Sequence, residues 1–160
     1  MSEAVLLDTS FFIRLLNKNE RLHQNAKEYY RYFLDRDFIL KISTISIAEY
    51  CVIGKRSDLP FKQILVSPFN INDAEQAGLF ASILFSNKAQ LKKQNLPRVL
   101  IPNDSKLFAQ AHCDSDVIYY VTADKRSETP IKILSQKMKL DFKFIDIHTP
   151  SNEQFGELFS

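Results

Sequence analysis

Four consecutive apolar residues, Ala4-Val5-Leu6-Leu7, are closed by Asp8 and followed by Thr9 and Ser10. A short run without polar alternation suits a strand covered on both faces, as in a parallel sheet between helical layers. Similar runs recur. Phe38-Ile39-Leu40-Lys41-Ile42, Ile118 to Val121 and residues 142–147 read as strands, and Gln63-Ile64-Leu65-Val66 as a short one ended by Pro68. Helical spacing fills the intervals. Phe11, Phe12, Leu15 and Leu16 mark one helix, and Ala26, Tyr29, Tyr30 and Phe33 mark a second over residues 23–35. A third follows several capping candidates at residues 43–46. A longer helix starts at Asn72-Asp73 with Ala77, Phe80, Ala81 and Leu84 on one face, and others span 104–112 and 131–140. Strands alternating with helices predict an α/β class fold, a three-layer α/β/α arrangement with a mainly parallel central sheet. The 160 residues allow one well-buried domain, expected over 1–150 with a C-terminal tail at 151–160.

Several function classes are excluded early. The net charge of +2 makes any nucleic-acid surface a local patch rather than a property of the whole molecule. The three glycines, Gly54, Gly78 and Gly156, are scattered, so no phosphate-cradling glycine loop is present. His23, His112 and His148 lack the close pairing of zinc ligands. Cys51 and Cys113 fall inside predicted helices without metal or redox spacing, and read as buried free thiols in a reducing compartment. No leader pattern and no bilayer-length apolar run is visible, so a cytoplasmic protein without membrane contact is expected.

Four acids stand where the apolar segments end or turn. Asp8 closes the first run, and Glu49 sits within Ile45-Ser46-Ile47-Ala48-Glu49-Tyr50-Cys51-Val52. Asp104 opens the helical stretch after Ile101-Pro102-Asn103, and Asp124 follows Val117-Ile118-Tyr119-Tyr120-Val121. Carboxylates beside core-forming segments are costly unless paired, hydrogen-bonded or bound to a metal. Each has a plain structural explanation as well. Asp8 and Asp104 suit helix N-termini, Ser46-Ile47-Ala48-Glu49 fits a capping box, and Asp124 suits a turn. Glu49 fits its alternative least, because Ile45, Ala48 and Val52 at i−4, i−1 and i+3 place it on an apolar face. Ligands of parallel sheets gather at strand carboxyl ends near a switch point, where Asp8 and Asp124 fall. One divalent cation shared by all four would replace four separate explanations.

Leu6-Leu7-Asp8-Thr9-Ser10, Ser43-Thr44-Ile45-Ser46-Ile47-Ala48-Glu49-Tyr50, Ile101-Pro102-Asn103-Asp104 and Val121-Thr122-Ala123-Asp124 follow one another in the order of the PIN-domain ribonucleases. Over nearly its whole length the chain resembles the VapC-type toxins of bacterial and archaeal toxin–antitoxin pairs. The resemblance implies a metal-dependent endoribonuclease, a hydrolase that uses Mg2+ or Mn2+ to cut single-stranded or looped RNA. Asp8, Glu49, Asp104 and Asp124 match the family's catalytic, metal-holding acids. Ser10 matches a small polar position beside the first acid, and Thr122 the hydroxyl residue before the last. The implied partners are RNA, a cognate antitoxin and a second copy in a homodimer. The aromatic stripe of residues 23–35 is then either core or a contact surface. The chain departs from the family pattern in the added length at 85–99 and after 150, in the unusually aromatic stretch 116–122, and in Lys125-Arg126-Ser127, where a further Asp often follows.

The chemistry suits these residue types, because Mg2+ prefers oxygen ligands and is commonly held by one or two carboxylates with substrate phosphate. Asp8, Asp104 and Asp124 are expected to touch the metal, and Glu49 to act through water or a second ion. Lys125 and Arg126 adjoin the acids and are expected to position the RNA backbone. Lys88, Lys92, Lys93 and Arg98 form another basic stretch that reads more simply as a solvated helix end. A haloacid-dehalogenase-type phosphatase would need a second Asp where Ser10 stands, and a response-regulator receiver would need an acidic pair near the first strand. The alternative from another class is a catalytically degenerate PIN-like module that binds RNA or protein.

Overall fold

β1 (Ala4–Leu7) is the middle strand of the sheet and is buried along its whole length. The computed structural model describes residues 2–87 and 100–156. On one side β1 pairs with β2 (Ile39–Ser43), and beyond it lies β3 (Ile64–Ser67). On the other side it pairs with β4 (Val117–Thr122), and beyond that lies β5 (Lys143–Asp146). All four pairings are parallel, in the order β3-β2-β1-β4-β5. The chain fills one half of the sheet, then crosses to the other, so strand order reverses between β1 and β4. Crevices at such a reversal, outside the strand carboxyl ends, are where open parallel sheets bind ligands.

Side chains of β1 alternate between the two faces, as the strand period of two requires. Ala4 and Leu6 join a cluster built with Phe80 and Leu84 of α4 (Ile71–Ser86), Leu107 and Phe108 of α5 (Leu100–Cys113), and Leu134 of α6 (Glu128–Lys137). Val5 and Leu7 join a second cluster with Phe11 and Phe12 of α1 (Thr9–Leu16) and Tyr29 and Phe33 of α2 (His23–Asp35). The short α3 (Thr44–Tyr50) follows β2 directly. Helical layers therefore cover both faces of an all-parallel sheet, which is the expected α/β/α class.

Three helices begin earlier than their sequence patterns suggest. α4 starts at Ile71, capped by Asn70 in a reciprocal box with Asp73. α5 starts at Leu100 and α6 at Glu128, so Pro102 and Pro130 are each the third helical residue. The first-turn amides have no carbonyl to bond, so a proline there costs little and does not mark a boundary. Asp104 is consequently the fifth residue of α5 and not its opening residue. The cysteines also differ from expectation. Cys51 caps the end of α3 and Cys113 ends α5, and both are exposed. The basic stretch from Lys88 to Arg98 lies outside the described residues.

The α2 stripe is core. Ala26, Tyr29 and Phe33 are fully buried, and the Tyr29 hydroxyl donates 2.6 Å to the Thr149 carbonyl. Beyond α7 (Ser151–Gln154), Phe155 stacks on Tyr32 with ring centroids 4.0 Å apart. The same ring meets Tyr29, Phe33 and Tyr119 edge-on. Truncating Phe33 to alanine should therefore cost about 3–5 kcal/mol of unfolding free energy in urea titrations. A loss below about 1 kcal/mol, with a change in oligomer size, would assign the stripe to a partner instead.

Candidate active site

Asp8 follows directly from the last residue of β1 and caps α1, its Oδ1 accepting from the Phe11 amide at 3.0 Å. Its capping role and a role in a site are thus compatible, because the cap turns the carboxylate back over the sheet edge. Oδ1 also accepts from Ser10 Oγ at 2.6 Å, while Oδ2 accepts from Thr122 Oγ1 at 2.5 Å and Tyr120 at 3.3 Å. Thr122 and Ser10 are in turn 3.1 Å apart. Ser10 Oγ accepts from the Ala123 amide and Thr122 Oγ1 from the Asp124 amide. This lattice ties the end of β1 to the end of β4 and fixes the backbone on which Asp124 stands.

The other acids arrive from separate elements. Glu49 lies in the last turn of α3 and accepts 2.5 Å from Thr9 Oγ1. Ser43 caps α3, which leaves Ser46 inside the helix and rules out the Ser46–Glu49 capping box. The apolar face expected around Glu49 is only partly buried, since Ala48 and Val52 are exposed. Asp104 projects from the second turn of α5, and Asp124 caps a short 3-10 turn at Lys125–Ser127. All four acids line one cleft of about 400 Å³, with Thr9, Ser10, Ile13, Asn103, Leu107 and Arg126 among the residues completing its walls. Thr122 lies fully buried beneath it. Lys125, exposed on the same turn as Arg126, is not among the described residues that line the cleft.

Burial and mutual repulsion set the electrostatics. Loss of hydration raises the Asp8 carboxyl to about 6, against the opposing hydrogen bonds from Ser10, Thr122 and the Phe11 amide. Asp104 rises to about 7, mainly through burial and then through the charges of Asp8 and Asp124. Burial alone would raise Asp124 too. Hydrogen bonds from the Arg126 side chain and backbone outweigh it, with the Arg126 and Arg14 charges, and hold Asp124 below its ordinary value. The Tyr120 hydroxyl is pushed well up by burial and by the adjoining carboxylates, so it stays a donor to Asp8.

The donor set fits a hard divalent cation in kind, being carboxylate and hydroxyl oxygen throughout. Asp8 and Asp104 are raised first by burial and then by neighbouring carboxylates, and a bound cation would favour the ionised form of both. As placed, no three His, Cys, Asp or Glu side chains among the described residues close to metal-gripping distance. Arg126 occupies Asp124 instead, with Nε 3.0 Å from Oδ1 and Nη2 2.9 Å from Oδ2.

Sequence reasoning missed several of these contacts. In sequence Thr9 is simply a small polar residue after Asp8, yet its hydroxyl orients Glu49. Tyr120 was one aromatic among many in a strand, with nothing to single out its hydroxyl. Arg14 bears on Asp124 electrostatically from one helical turn beyond Ser10, a spacing with no motif value alone.

No protein-family model matches the chain. No curated protein matches it either. Solved structures do. VapBC2 from Rickettsia felis bound to a DNA fragment of its promoter superposes with a TM-score of 0.50 and 17% identity, over 89% of this chain and 99% of the other. DNA-bound VapBC from Salmonella typhimurium gives 0.53 and 14%, over 91% and 98%. VapC20 of Mycobacterium tuberculosis, a toxin that cleaves the sarcin–ricin loop, gives 0.50 and 17%, over 78% and 93%.

The raised carboxyls fix a pH dependence. A carboxyl whose folded pKa exceeds its unfolded value binds its proton more tightly in the native state, so stability falls as pH rises through that window. For Asp104 the window runs from the ordinary 3.8 to about 7. In metal-free buffer, Asp104→Asn should stabilise the fold at pH 8 by on the order of 2 kcal/mol and by nothing measurable at pH 4. Thermal denaturation at the two pH values checks this, and equal effects at both would refute it. The likeness is one of fold: with its five-stranded, all-parallel sheet between helices, the chain has the VapC-type PIN-domain fold of these structures.

Proposed function

We propose that the protein is a divalent-cation-dependent endoribonuclease and the toxin of a toxin–antitoxin pair. The observation that carries this reading is the meeting of Asp8, Glu49, Asp104 and Asp124, from four separate segments, in one cleft at the carboxyl ends of β1 and β4. The fold neighbours add weight, since two are VapBC assemblies on DNA and one cleaves an RNA loop.

Asp8, Asp104 and Asp124 would hold Mg2+ or Mn2+, with Glu49 at the opposite wall. Bound there, the cation supplies Lewis acidity, acidifying an attacking water and offsetting charge on the scissile phosphate. Ser10 and Thr122 orient the Asp8 carboxylate through their hydroxyls. Thr9 fixes Glu49. Arg126 and Lys125, on the turn beside the cleft, place cationic groups along the path of an RNA backbone. A cognate antitoxin and a homodimer complete the proposed assembly. Among the described residues no helix is long and apolar enough to cross a membrane.

A second reading is a catalytically degenerate PIN-like module that binds RNA or protein. Two observations favour it: Asp124 is paired with Arg126, and although the acids share a cleft, no three of them among the described residues close to metal-gripping distance.

Cleavage of a structured RNA with Mg2+ or Mn2+ separates the two. The wild type should cut, and Asp8→Asn or Asp104→Asn should each lower the rate by at least about 100-fold. Retained RNA binding without cation-dependent cleavage in the wild type would select the second reading. Reversing the charges of Lys125 and Arg126 together should weaken RNA binding more at low salt than at high salt in a titration of catalytically silent Asp8→Asn protein. A loss independent of salt would remove this turn from the RNA surface.

A further inference from the structure

Both carboxylate oxygens of Asp124 are taken by one residue. The Arg126 guanidinium forks onto Oδ1 and Oδ2 at 3.0 and 2.9 Å, and its backbone amide adds a third bond to Oδ1 at 3.0 Å. Among the described residues lining the cleft, Arg126 is the sole cation facing four acids. Arg14 also bears on Asp124 electrostatically, but its guanidinium is paired with Glu20 at 2.6 Å and makes no fork onto Asp124 among the hydrogen bonds of the described residues.

We propose that Arg126 is a built-in competitor for the divalent cation: its guanidinium holds Asp124 in the metal-free protein and must release it before Asp124 serves as a ligand. This rests on the cation-binding reading above. Three physical features support it. The planar guanidinium matches both carboxylate oxygens at once, which a point-charge ammonium cannot do. The Arg126 side chain is 55% exposed, so rotation about its own bonds carries it into solvent without opening the core. An exposed ion pair is weak enough to be exchanged for a doubly charged ion. Once released, the guanidinium remains at the cleft mouth, where a phosphodiester offers the same paired oxygens. The Arg126 charge also offsets part of the acid–acid repulsion, acting against the rise at Asp104.

Calorimetric titration of the full chain with Mn2+ tests this at a pH where the carboxyls are ionised, using wild type, Arg126→Gln and Arg126→Lys. Removing the latch should tighten Mn2+ binding by about threefold to tenfold in Arg126→Gln. Arg126→Lys keeps the charge but loses the fork, and should also bind more tightly than wild type, by a smaller factor. If Arg126→Lys matches wild type while Arg126→Gln binds more tightly, simple charge repulsion is at work and the latch is refuted. If Arg126→Gln only melts at a lower temperature with unchanged Mn2+ affinity, the residue is structural and the latch is likewise refuted. If none of the three proteins binds Mn2+, the cation-binding reading itself fails and the latch fails with it.

Discussion

The Asp8 carboxylate, buried at the end of the central strand, accepts hydrogen bonds from Ser10, the Phe11 amide, Tyr120 and Thr122. Burying a charge there is unfavourable unless its lone pairs are met, and the sequence meets them from both sides of the β1–β4 junction. The same bonds do several jobs. They cap α1, hold the ends of two neighbouring strands in register and orient the backbone that carries Asp124. Residual strain remains, because the Asp8 carboxyl still sits at about 6. A fold selected only for stability would place an apolar residue here, since replacing buried ionic groups by well-packed hydrophobic ones is often neutral or stabilising.

From that junction the rest of the cleft follows. Parallel pairing sends β1 and β4 to the same end of the sheet, and the reversal of strand order leaves a crevice between their continuations. α3 and α5 bring Glu49 and Asp104 to its walls. Among the described residues, four acids around about 400 Å³ are opposed by one cation in the lining, Arg126, with Arg14 acting from outside it. Asp104 rises to about 7, first through burial and then through the charges of Asp8 and Asp124. The positive charge that the described residues bring to the cleft therefore only partly offsets its acids.

Much of this was legible in the residues. Continuous apolar runs identified buried parallel strands, and the ordered acids led to one site although each had an innocent explanation. Asp8 and Asp124 do both things at once, each capping the turn that presents it and lining the cleft. Glu49 stands beside apolar neighbours as its spacing suggested, but they are only partly buried. Ile45 packs against the core, Ala48 is exposed, and Val52, also exposed, lines the cleft with Glu49, which Thr9 holds there. Helix starts were harder to read, because prolines at the third position of α5 and α6 look like breakers until the unsatisfied first turn is considered. The aromatic stripe of α2 could not be assigned from spacing alone. It packs into the core cluster with β1, α1 and β4, and Phe155, more than a hundred residues away, folds back against it. The Arg126–Asp124 pair was hidden because adjacent opposite charges in sequence carry no information about which atoms meet.

A bound cation should satisfy the cleft's missing charge at Asp8 and Asp104. Crystals of the full chain grown with Mn2+, with data collected where manganese scatters anomalously, test that most directly. The predicted result is an anomalous peak about 2.1 Å from carboxylate oxygens of Asp8 and Asp104, with the Arg126 guanidinium moved off Asp124. A cleft without a peak, and with Arg126 still forked onto Asp124, would contradict it.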